Sequence, residues 1–143
     1  MNEMDKKKET LLFIVWAGSL IATLGSLFYS EIMKFIPCEL CWYQRILMYP
    51  LVVIYGYAVY KKDIRYAFPG LILSGIGFLV SSYHYLIQKV PGLQETGDAC
   101  GLIPCTTTYV NYLGFASIPF QALIAFLVIF IIHIYLIVQQ RSV

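Results

Sequence analysis

The sequence of this chain is poor in charged residues. Aspartate, glutamate, lysine and arginine make up 13% of its 143 residues, whereas a soluble domain contains about 25%. The charges are also clustered, so that long windows have none, and one such window covers residues 99–140. Hydrophobic residues make up 59%. These proportions leave no room for a separate soluble domain and predict a single membrane domain over residues 1–143.

The sequence also has no convincing internal repeat, no phosphate-binding loop and no surface of the kind that binds nucleic acid. These absences argue against a repeat scaffold, a nucleotide-dependent enzyme and a nucleic-acid partner. The net charge of +2 matters less than its placement along the chain. We therefore expect the surroundings of this chain to be membrane lipid.

The uncharged windows predict four membrane-spanning helices. A helix needs about 20 residues to cross the hydrocarbon core, and only helices or closed barrels satisfy their backbone in lipid. The predicted spans are about 11–30, 43–60, 66–88 and 116–138. A cleaved signal peptide is disfavoured for the first span, because its apolar run is too long and no A-x-A site follows. The predicted fold is an all-α integral membrane bundle of four transmembrane helices.

The basic residues are unevenly distributed between the two sides of this predicted bundle. Of the ten, seven lie on the side of the termini and three on the other. The positive-inside rule then puts both termini and the turn at 61–65 in the cytoplasm. The two remaining loops, about 31–40 and 89–115, are expected to face outward.

All four cysteines lie in or at the edge of the outward loops. Cys38 and Cys41 belong to the first loop, and Cys100 and Cys105 belong to the second. Disulfides form and persist in the oxidising compartment outside the cytoplasm. Four cysteines allow three pairings, and we favour the pairing within each loop.

The close spacing of Cys38 and Cys41 favours redox chemistry. A disulfide across two intervening residues closes a small loop, so it removes little entropy from the unfolded chain. Two other interpretations stay open at this point: structural disulfides, and a zinc site with four cysteine ligands. Because an oxidising compartment opposes holding four thiolates, we predict no metal ligand.

The stretch C-E-L-C-W-Y-Q-R, from Cys38 to Arg45, puts a cation one helical turn after the second cysteine. The second helix is expected to begin near Leu40, so Cys41 would lie at its N-terminus, where the helix dipole favours negative charge. Arg45 follows four residues later on the same helix face. Both effects predict an activated thiolate at Cys41. The guanidinium can also donate to a carbonyl oxygen of a lipid-soluble acceptor such as a quinone.

A histidine is expected at a similar depth on the third span. His84 stands five residues before Lys89, near the outer end of 66–88. Ionisable groups within spans tend to face the bundle and to be functional. An interfacial histidine with an ordinary hydrogen bond is the alternative interpretation.

The motif P-C-E-L-C-W-Y-Q-R, at the outer end of a second span in a four-span chain, resembles the disulfide bond formation protein B (DsbB) family. The short second outer loop resembles the BdbC branch of that family from Gram-positive bacteria. The resemblance covers nearly the whole chain, and C-x-x-C-x-Y-x-R is quite specific in this setting. It implies an enzyme of the bacterial cell membrane that reoxidises an extracytoplasmic thioredoxin-fold thiol oxidase. It also implies that the electrons pass to a membrane quinone of the respiratory pool, either menaquinone or ubiquinone.

The resemblance also implies roles for individual residues. Cys41 resembles the cysteine that contacts the quinone, and Cys38 resembles its redox partner. Arg45 resembles the quinone-binding arginine, and His84 resembles a family histidine beside the quinone.

Cys100 and Cys105 resemble the pair that exchanges with the external oxidase. In the best-known members a long loop separates that pair, whereas only G-L-I-P intervenes here. A relay through a disulfide between Cys38 and Cys105 is therefore left open.

Two rival functions remain at the level of sequence. A vitamin K epoxide reductase-like enzyme also couples cysteines to quinones, but its C-x-x-C normally lies at a late helix. A non-catalytic tetraspan protein would use its cysteines as structural disulfides or as metal ligands.

Overall fold

The computed structural model describes residues 3–98 and 101–142 of the chain. The long helices are α1 (Glu3–Leu27), α2 (Glu39–Lys61), α3 (Phe68–Lys89) and α5 (Ile118–Arg141), and the loop before α5 contains α4 (Gln94–Asp98), β1 (Asn111–Tyr112) and β2 (Ala116–Ser117). Three short helical turns of other types are Phe28–Ile32 (π), Ile64–Ala67 (3-10) and Pro91–Leu93 (3-10).

The mostly helical architecture agrees with the predicted helical membrane class. Within the described residues, three helical stretches are long and apolar enough to cross a membrane, namely Asp5–Ile32, Ile64–Lys89 and Ile118–Arg141. Helix α2 has 23 residues, which is long enough, but because of its tyrosines, Gln44 and Arg45 it contains no stretch as apolar as those of the other three. The crossing of the membrane by α2, and with it the count of four spans, stays a prediction.

A small antiparallel hairpin before α5 departs from the prediction of an all-α fold. Strands β1 and β2 have two residues each. Leu113 and Gly114 between them have φ values of 57° and 83°, the left-handed conformation that tight hairpin turns require. The Lys89 ammonium donates to the Gly114 carbonyl at 2.9 Å. This bond ties the turn to the end of α3.

Proline and capping residues explain where the long helices begin and end. Pro69 and Pro119 occupy the first turns of α3 and α5, where a missing N–H costs no helical hydrogen bond. Helix α2 ends at Lys61, and the capping residue Lys62 after it has a left-handed φ of 56°, a common helix stop. The Asp63 carboxylate then accepts a hydrogen bond from the Arg65 backbone N–H at 2.9 Å and so starts the next turn.

The start of α1, the turn after α2 and the end of α5 meet at one end of the bundle. The Lys62 ammonium lies 3.5 Å from the Glu9 carboxylate of α1. The Gln140 side-chain amide of α5 donates to the Asp63 carboxylate at 3.3 Å. The three segments that carry most of the basic residues therefore lie together, away from the cysteines.

Helix α3 packs through a stripe of small and polar residues. The buried positions recur every three or four residues and are Gly70, Ser74, Gly77, Ser81, His84 and Ile87. Small residues allow helix backbones to approach closely, and the Gly77 backbone lies directly against the Phe126 ring of α5. Because His84 continues this stripe, its side chain points into the bundle.

The apolar core lies where α2 meets α1 and α5. Leu51 of α2 and Phe126 of α5 are fully buried within it. Tyr55 Oη and His133 Nδ1 share a hydrogen bond of 2.6 Å across this core. The bond gives the Tyr55 hydroxyl and His133 Nδ1 a partner, as buried polar groups require, whereas His133 Nε2 has none among the described residues.

A methyl group at Gly77 should destabilise the bundle, because its Cβ would overlap the Phe126 ring. We expect Gly77→Ala to lower the free energy of unfolding by about 1–3 kcal/mol. The measurement is the midpoint of thermal unfolding in detergent. Gly18→Ala is the control, since outside its own helix backbone no described heavy atom lies within 4 Å of the added Cβ. Equal midpoints for the two variants would contradict the close packing of α3 on α5.

Candidate functional site

The two cysteines of the C-x-x-C stretch stand at the start of α2. Cys38 is the extended residue just before the helix, and Cys41 lies in the first turn, before the predicted span 43–60. Their sulphur atoms are 3.2 Å apart, at hydrogen-bonding distance, and both residues are free thiols. The helix start therefore holds the pair as a closely spaced dithiol.

The two thiols have different pKa values. The hydrogen bond between them is the largest cause: it lowers the pKa of Cys41 and, together with burial, raises the pKa of Cys38 to about 12. The positive charge of Arg45 lowers the pKa of Cys41 as well, but as a smaller effect. The pKa of Cys41 is lowered, as the sequence predicts, but the main cause is the neighbouring thiol of Cys38 rather than the positive charge of Arg45.

Arg45 is held by the end of α1. Its Nε donates to Ser26 Oγ at 3.0 Å, and its Nη2 donates to the Ser26 carbonyl at 3.0 Å. The guanidinium also lies 5.4 Å above the Trp42 ring. These two bonds hold Arg45 in place. Because a guanidinium has more N–H donors than the two bonds use, Arg45 can still donate to a ligand.

A cavity of about 340 Å³ lies between α1, α2 and α5, in the size range of small-molecule sites. From α2 it is lined by Cys41, Gln44 and Arg45. Its other walls are mostly apolar, and they include Ile21, Ala22, Gly25, Ala122, Ala125 and Phe126. Ile21 is 69% exposed, so one wall reaches the outer surface of the bundle.

Three stacked aromatic rings form another wall of this cavity. Tyr29 and Phe35 stack with centroids 6.1 Å apart, and Phe35 and Tyr109 stack at 4.8 Å. Tyr109 comes from the loop before α5, and Phe35 comes from the segment before α2. The stack therefore brings the two cysteine-bearing loops together beside the cavity.

His84 contacts the other cysteine of the pair. Its Nε2 lies 3.7 Å from Cys38 Sγ and 3.1 Å from the Cys105 carbonyl oxygen. Its Nδ1 lies 2.9 Å from Gln44 Nε2. The ring is thus enclosed by groups from α2 and from the second loop.

The position of His84 differs from that of Arg45. His84 lines a second, small space of about 20 Å³ together with Cys38 and Cys41, whereas Arg45 lines the larger cavity. Cys41 lines both spaces. The two residues that the sequence puts at one depth therefore lie beside different cysteines.

The second loop brings Cys105 against this pair. Cys105 is fully buried, and its sulphur, the Cys38 sulphur and a His84 ring nitrogen all lie within 4.8 Å of one another. The Gln88 side chain donates to the Cys105 carbonyl at 3.3 Å and helps to hold the loop there. Cys100, the fourth predicted site residue, lies outside the described residues.

Cys38, Cys105 and His84 offer the donor types that zinc accepts. Metal ligation needs a free lone pair on the ligating nitrogen. The Nε2 atom of His84, however, faces the Cys105 carbonyl oxygen at 3.1 Å, and this contact needs a proton on Nε2. The geometry therefore favours thiol chemistry over metal ligation.

Gln44 and Ser26 belong to the site although the sequence interpretation did not single them out. Gln44 stands three residues after Cys41, on the same helix face, so the spacing contained a signal. Ser26 comes from α1 and contacts Arg45 only through the fold. Nothing in its local sequence indicates this contact.

The geometry agrees with a comparison to known families. The family model described as "Disulfide bond formation protein DsbB" matches residues 8–136. The chain belongs to the DsbB family. Membership in this family makes it a membrane thiol–disulfide oxidoreductase of bacterial type, and it disfavours the alternative of a vitamin K epoxide reductase-like enzyme.

Individual relatives support the same assignment over most of the chain. A protein named "Probable disulfide formation protein" from Oceanobacillus iheyensis is 59% identical over 141 residues, which cover 98% of this chain and 97% of that protein. "Disulfide bond formation protein C" from Bacillus subtilis is 52% identical over 126 residues, covering 88% and 91% of the two chains. No solved structure gives a significant match. Among DsbB-family proteins, this chain is therefore similar to those named disulfide formation protein C.

In the reduced protein, Cys41 should react with iodoacetamide faster than Cys38 near neutral pH. The lowered pKa of Cys41 gives it more thiolate, and the pKa of Cys38, at about 12, keeps that thiol protonated. The measurement is the alkylation rate of each cysteine between about pH 5 and pH 10, read by mass spectrometry. Cys38→Ala should move the Cys41 profile to higher pH, while Cys38→Ser, which keeps a hydroxyl donor, should move it less. Equal rates at the two wild-type cysteines would contradict the asymmetry.

Proposed function

We propose that this chain reoxidises an extracytoplasmic thioredoxin-fold thiol oxidase and passes the electrons to a membrane quinone. The observation that carries the proposal is the position of Cys41. Its side chain faces the 340 Å³ cavity together with Arg45, and it also faces the small space that holds Cys38 and His84. A single low-pKa cysteine thus connects a ligand-sized apolar cavity to the other cysteines.

The cavity suits the head group of a quinone, either menaquinone or ubiquinone. Apolar walls and stacked rings can pack against a flat, lipophilic ring. Arg45 and Gln44 offer N–H donors for carbonyl oxygens at the same wall as Cys41. Because the exposed Ile21 brings one wall to the bundle surface, a ligand with an isoprenoid tail can keep that tail in lipid. When bound, the quinone supplies the acceptor for two electrons and two protons.

Electrons enter through the second loop. A reduced partner attacks the Cys100–Cys105 disulfide through a mixed disulfide, and its own dithiol becomes a disulfide. Cys105 thiolate then attacks the Cys38 sulphur of an oxidised Cys38–Cys41 pair, and their closeness supports this step. The Cys38–Cys105 bond forms, and Cys41 leaves as the thiolate. The backbone hydrogen bond at the helix start and the positive charge of Arg45, which both remain while Cys38 is in a disulfide, stabilise this leaving thiolate.

The last exchange returns the second loop to its oxidised form. Cys100 thiolate attacks the Cys105 sulphur, so that the Cys100–Cys105 bond forms and Cys38 leaves with the bonding pair. Two electrons have then moved to Cys38 and Cys41. Re-forming the Cys38–Cys41 disulfide releases these electrons beside the cavity, and both thiol protons leave with them.

We also propose that all four long helices span the cell membrane, with both termini in the cytoplasm. Three observations support this topology: most basic residues lie at one end of the bundle, Lys62 and Glu9 pair there, and the described cysteines lie at the other end. The positive-inside rule then directs the cysteines outward, where an extracytoplasmic partner can reach them.

Quinone consumption tests the proposed function. The purified protein is reduced anaerobically, soluble quinone is added, and quinone absorbance is followed together with the thiol count. We expect wild type to consume quinone with loss of two thiols per quinone, and Cys41→Ser to consume none.

The Arg45 variant tests the quinone cavity. Arg45→Met should raise the KM for quinone by about tenfold or more, because it removes hydrogen bonds from a charged donor. Arg65→Met, at the opposite end of the bundle, is the matched control and should behave as wild type. If the folded, reduced wild-type protein consumes no quinone and its cysteine variants lose only thermal stability, the cysteines are structural and the proposed function is wrong.

A further inference from the structure

Gln44 and His84 form a buried polar pair, and the proposed electron path gives no role to the contact between them. Gln44 is 6% exposed and His84 is 1% exposed. They come from α2 and α3, and Gln44 Nε2 meets His84 Nδ1 at 2.9 Å. Because buried polar groups are costly unless they are hydrogen-bonded, the pattern of their bonds is informative.

The neighbours of His84 define which ring nitrogen carries the proton. The Gln44 amide nitrogen can only donate, so His84 Nδ1 accepts its hydrogen bond. In the neutral ring the proton is then on Nε2. That N–H faces two acceptors, the Cys105 carbonyl oxygen at 3.1 Å and the Cys38 sulphur at 3.7 Å. Each of these three contacts thus places a donor against an acceptor.

Cys38 needs such a donor in the exchange between the loops. When Cys100 attacks Cys105, the Cys38 sulphur must leave as a thiolate, and a group of high pKa leaves slowly. The hydrogen bond with Cys41 and burial raise the pKa of Cys38, while the hydrogen bond with His84 lowers it. Among the described residues, the titratable groups that face Cys38 are Cys41 from α2, His84 from α3 and Cys105 from the second loop.

We propose that His84, held in one tautomer by Gln44, is the hydrogen-bond donor that stabilises the Cys38 sulphur as the Cys38–Cys105 bond breaks. The bonding pair stays on Cys38, the Cys100–Cys105 bond forms, and His84 keeps its proton. His84 touches the reacting sulphur, whereas Gln44 acts through His84 and is a positioning residue. This role differs from the quinone contact that the family resemblance implies for His84. It rests on the exchange path of the proposed function but not on the quinone.

Two substitutions of Gln44 separate this role from packing. Gln44→Leu keeps much of the volume but removes the donor to Nδ1, so the ring is free to adopt the other tautomer and lose the Nε2 proton. Gln44→Glu puts a carboxylate beside Nδ1, which favours the imidazolium and keeps the Nε2–H donor. If Gln44 only packs, the buried charge of Gln44→Glu should slow the exchange at Cys38 more than Gln44→Leu does. The proposed role predicts the opposite order.

The test uses the full chain with Cys41→Ser and Cys100→Ser, in which oxidation should link Cys38 to Cys105. Dithiothreitol then reduces this bond, and the rate is followed against pH without any quinone. The second readout is the pH profile of Cys38 alkylation in the reduced protein. We expect Gln44→Leu and His84→Phe to slow the reduction about tenfold and to move the alkylation profile to higher pH. Gln44→Glu should match or exceed the rate of the unsubstituted background.

Gln88→Leu is the matched control. Gln88 also donates to the Cys105 carbonyl, so its loss loosens the loop without changing the proton on His84, and the Cys38 alkylation profile should stay in place. Thermal unfolding verifies that each variant is folded. Any of three outcomes would overturn the inference. The Cys38 alkylation profile stays unchanged in the Gln44 and His84 variants, or Gln44→Leu and Gln44→Glu slow the reduction equally. The third is that Cys38 and Cys105 fail to form a disulfide. Because neither readout uses quinone, a failure of quinone reduction in the earlier experiment leaves this result intact.

Discussion

The hydrogen bond between the thiols of Cys38 and Cys41 is the interaction on which the chemistry of this site depends. It exists because α2 begins between the two residues, with Cys38 extended and Cys41 in the first turn. Two chemically identical side chains thereby acquire different proton affinities. They also acquire different surroundings, since Cys41 lines the larger cavity and Cys38 packs against His84. A direction for electron flow can follow from this asymmetry, because thiolate stability controls both attack and departure.

The rest of the bundle serves to keep this asymmetry in place. The small residues of α3 let it approach α5 and aim His84 at Cys38. Gln88, one turn further along, holds the Cys105 backbone. The aromatic stack of Tyr29, Phe35 and Tyr109 joins the two loops over the other side. Cys41 is consequently the shared wall of two spaces, so in the proposed function electrons that arrive through Cys38 and a ligand in the larger cavity meet at the same residue.

The sequence was sufficient for the parts that depend on local pattern. Apolar runs indicated the long helices, and the C-x-x-C followed by Arg45 indicated two closely spaced cysteines at a helix start, whose redox role stays a prediction. The missing parts depend on contacts between distant segments. Ser26 meets Arg45 across 19 residues, and Gln44 meets His84 across 40. The sequence predicted that His84 faces the bundle, and its burial agrees, but the sequence did not identify the groups that His84 contacts, because those are set by how the α3 stripe packs.

The unusual composition of α2 is a consequence of the same site. Because of Gln44, Arg45 and several tyrosines, it has no stretch as apolar as those of the other long helices, although it must cross the same bilayer in the proposed topology. A polar helix is tolerable in lipid only where neighbouring helices satisfy its side chains. Ser26 does so for Arg45, His84 for Gln44 and His133 for Tyr55. Each of these partners comes from a different helix, so the polar groups that weaken the hydropathy of α2 also fix its position against all three neighbours.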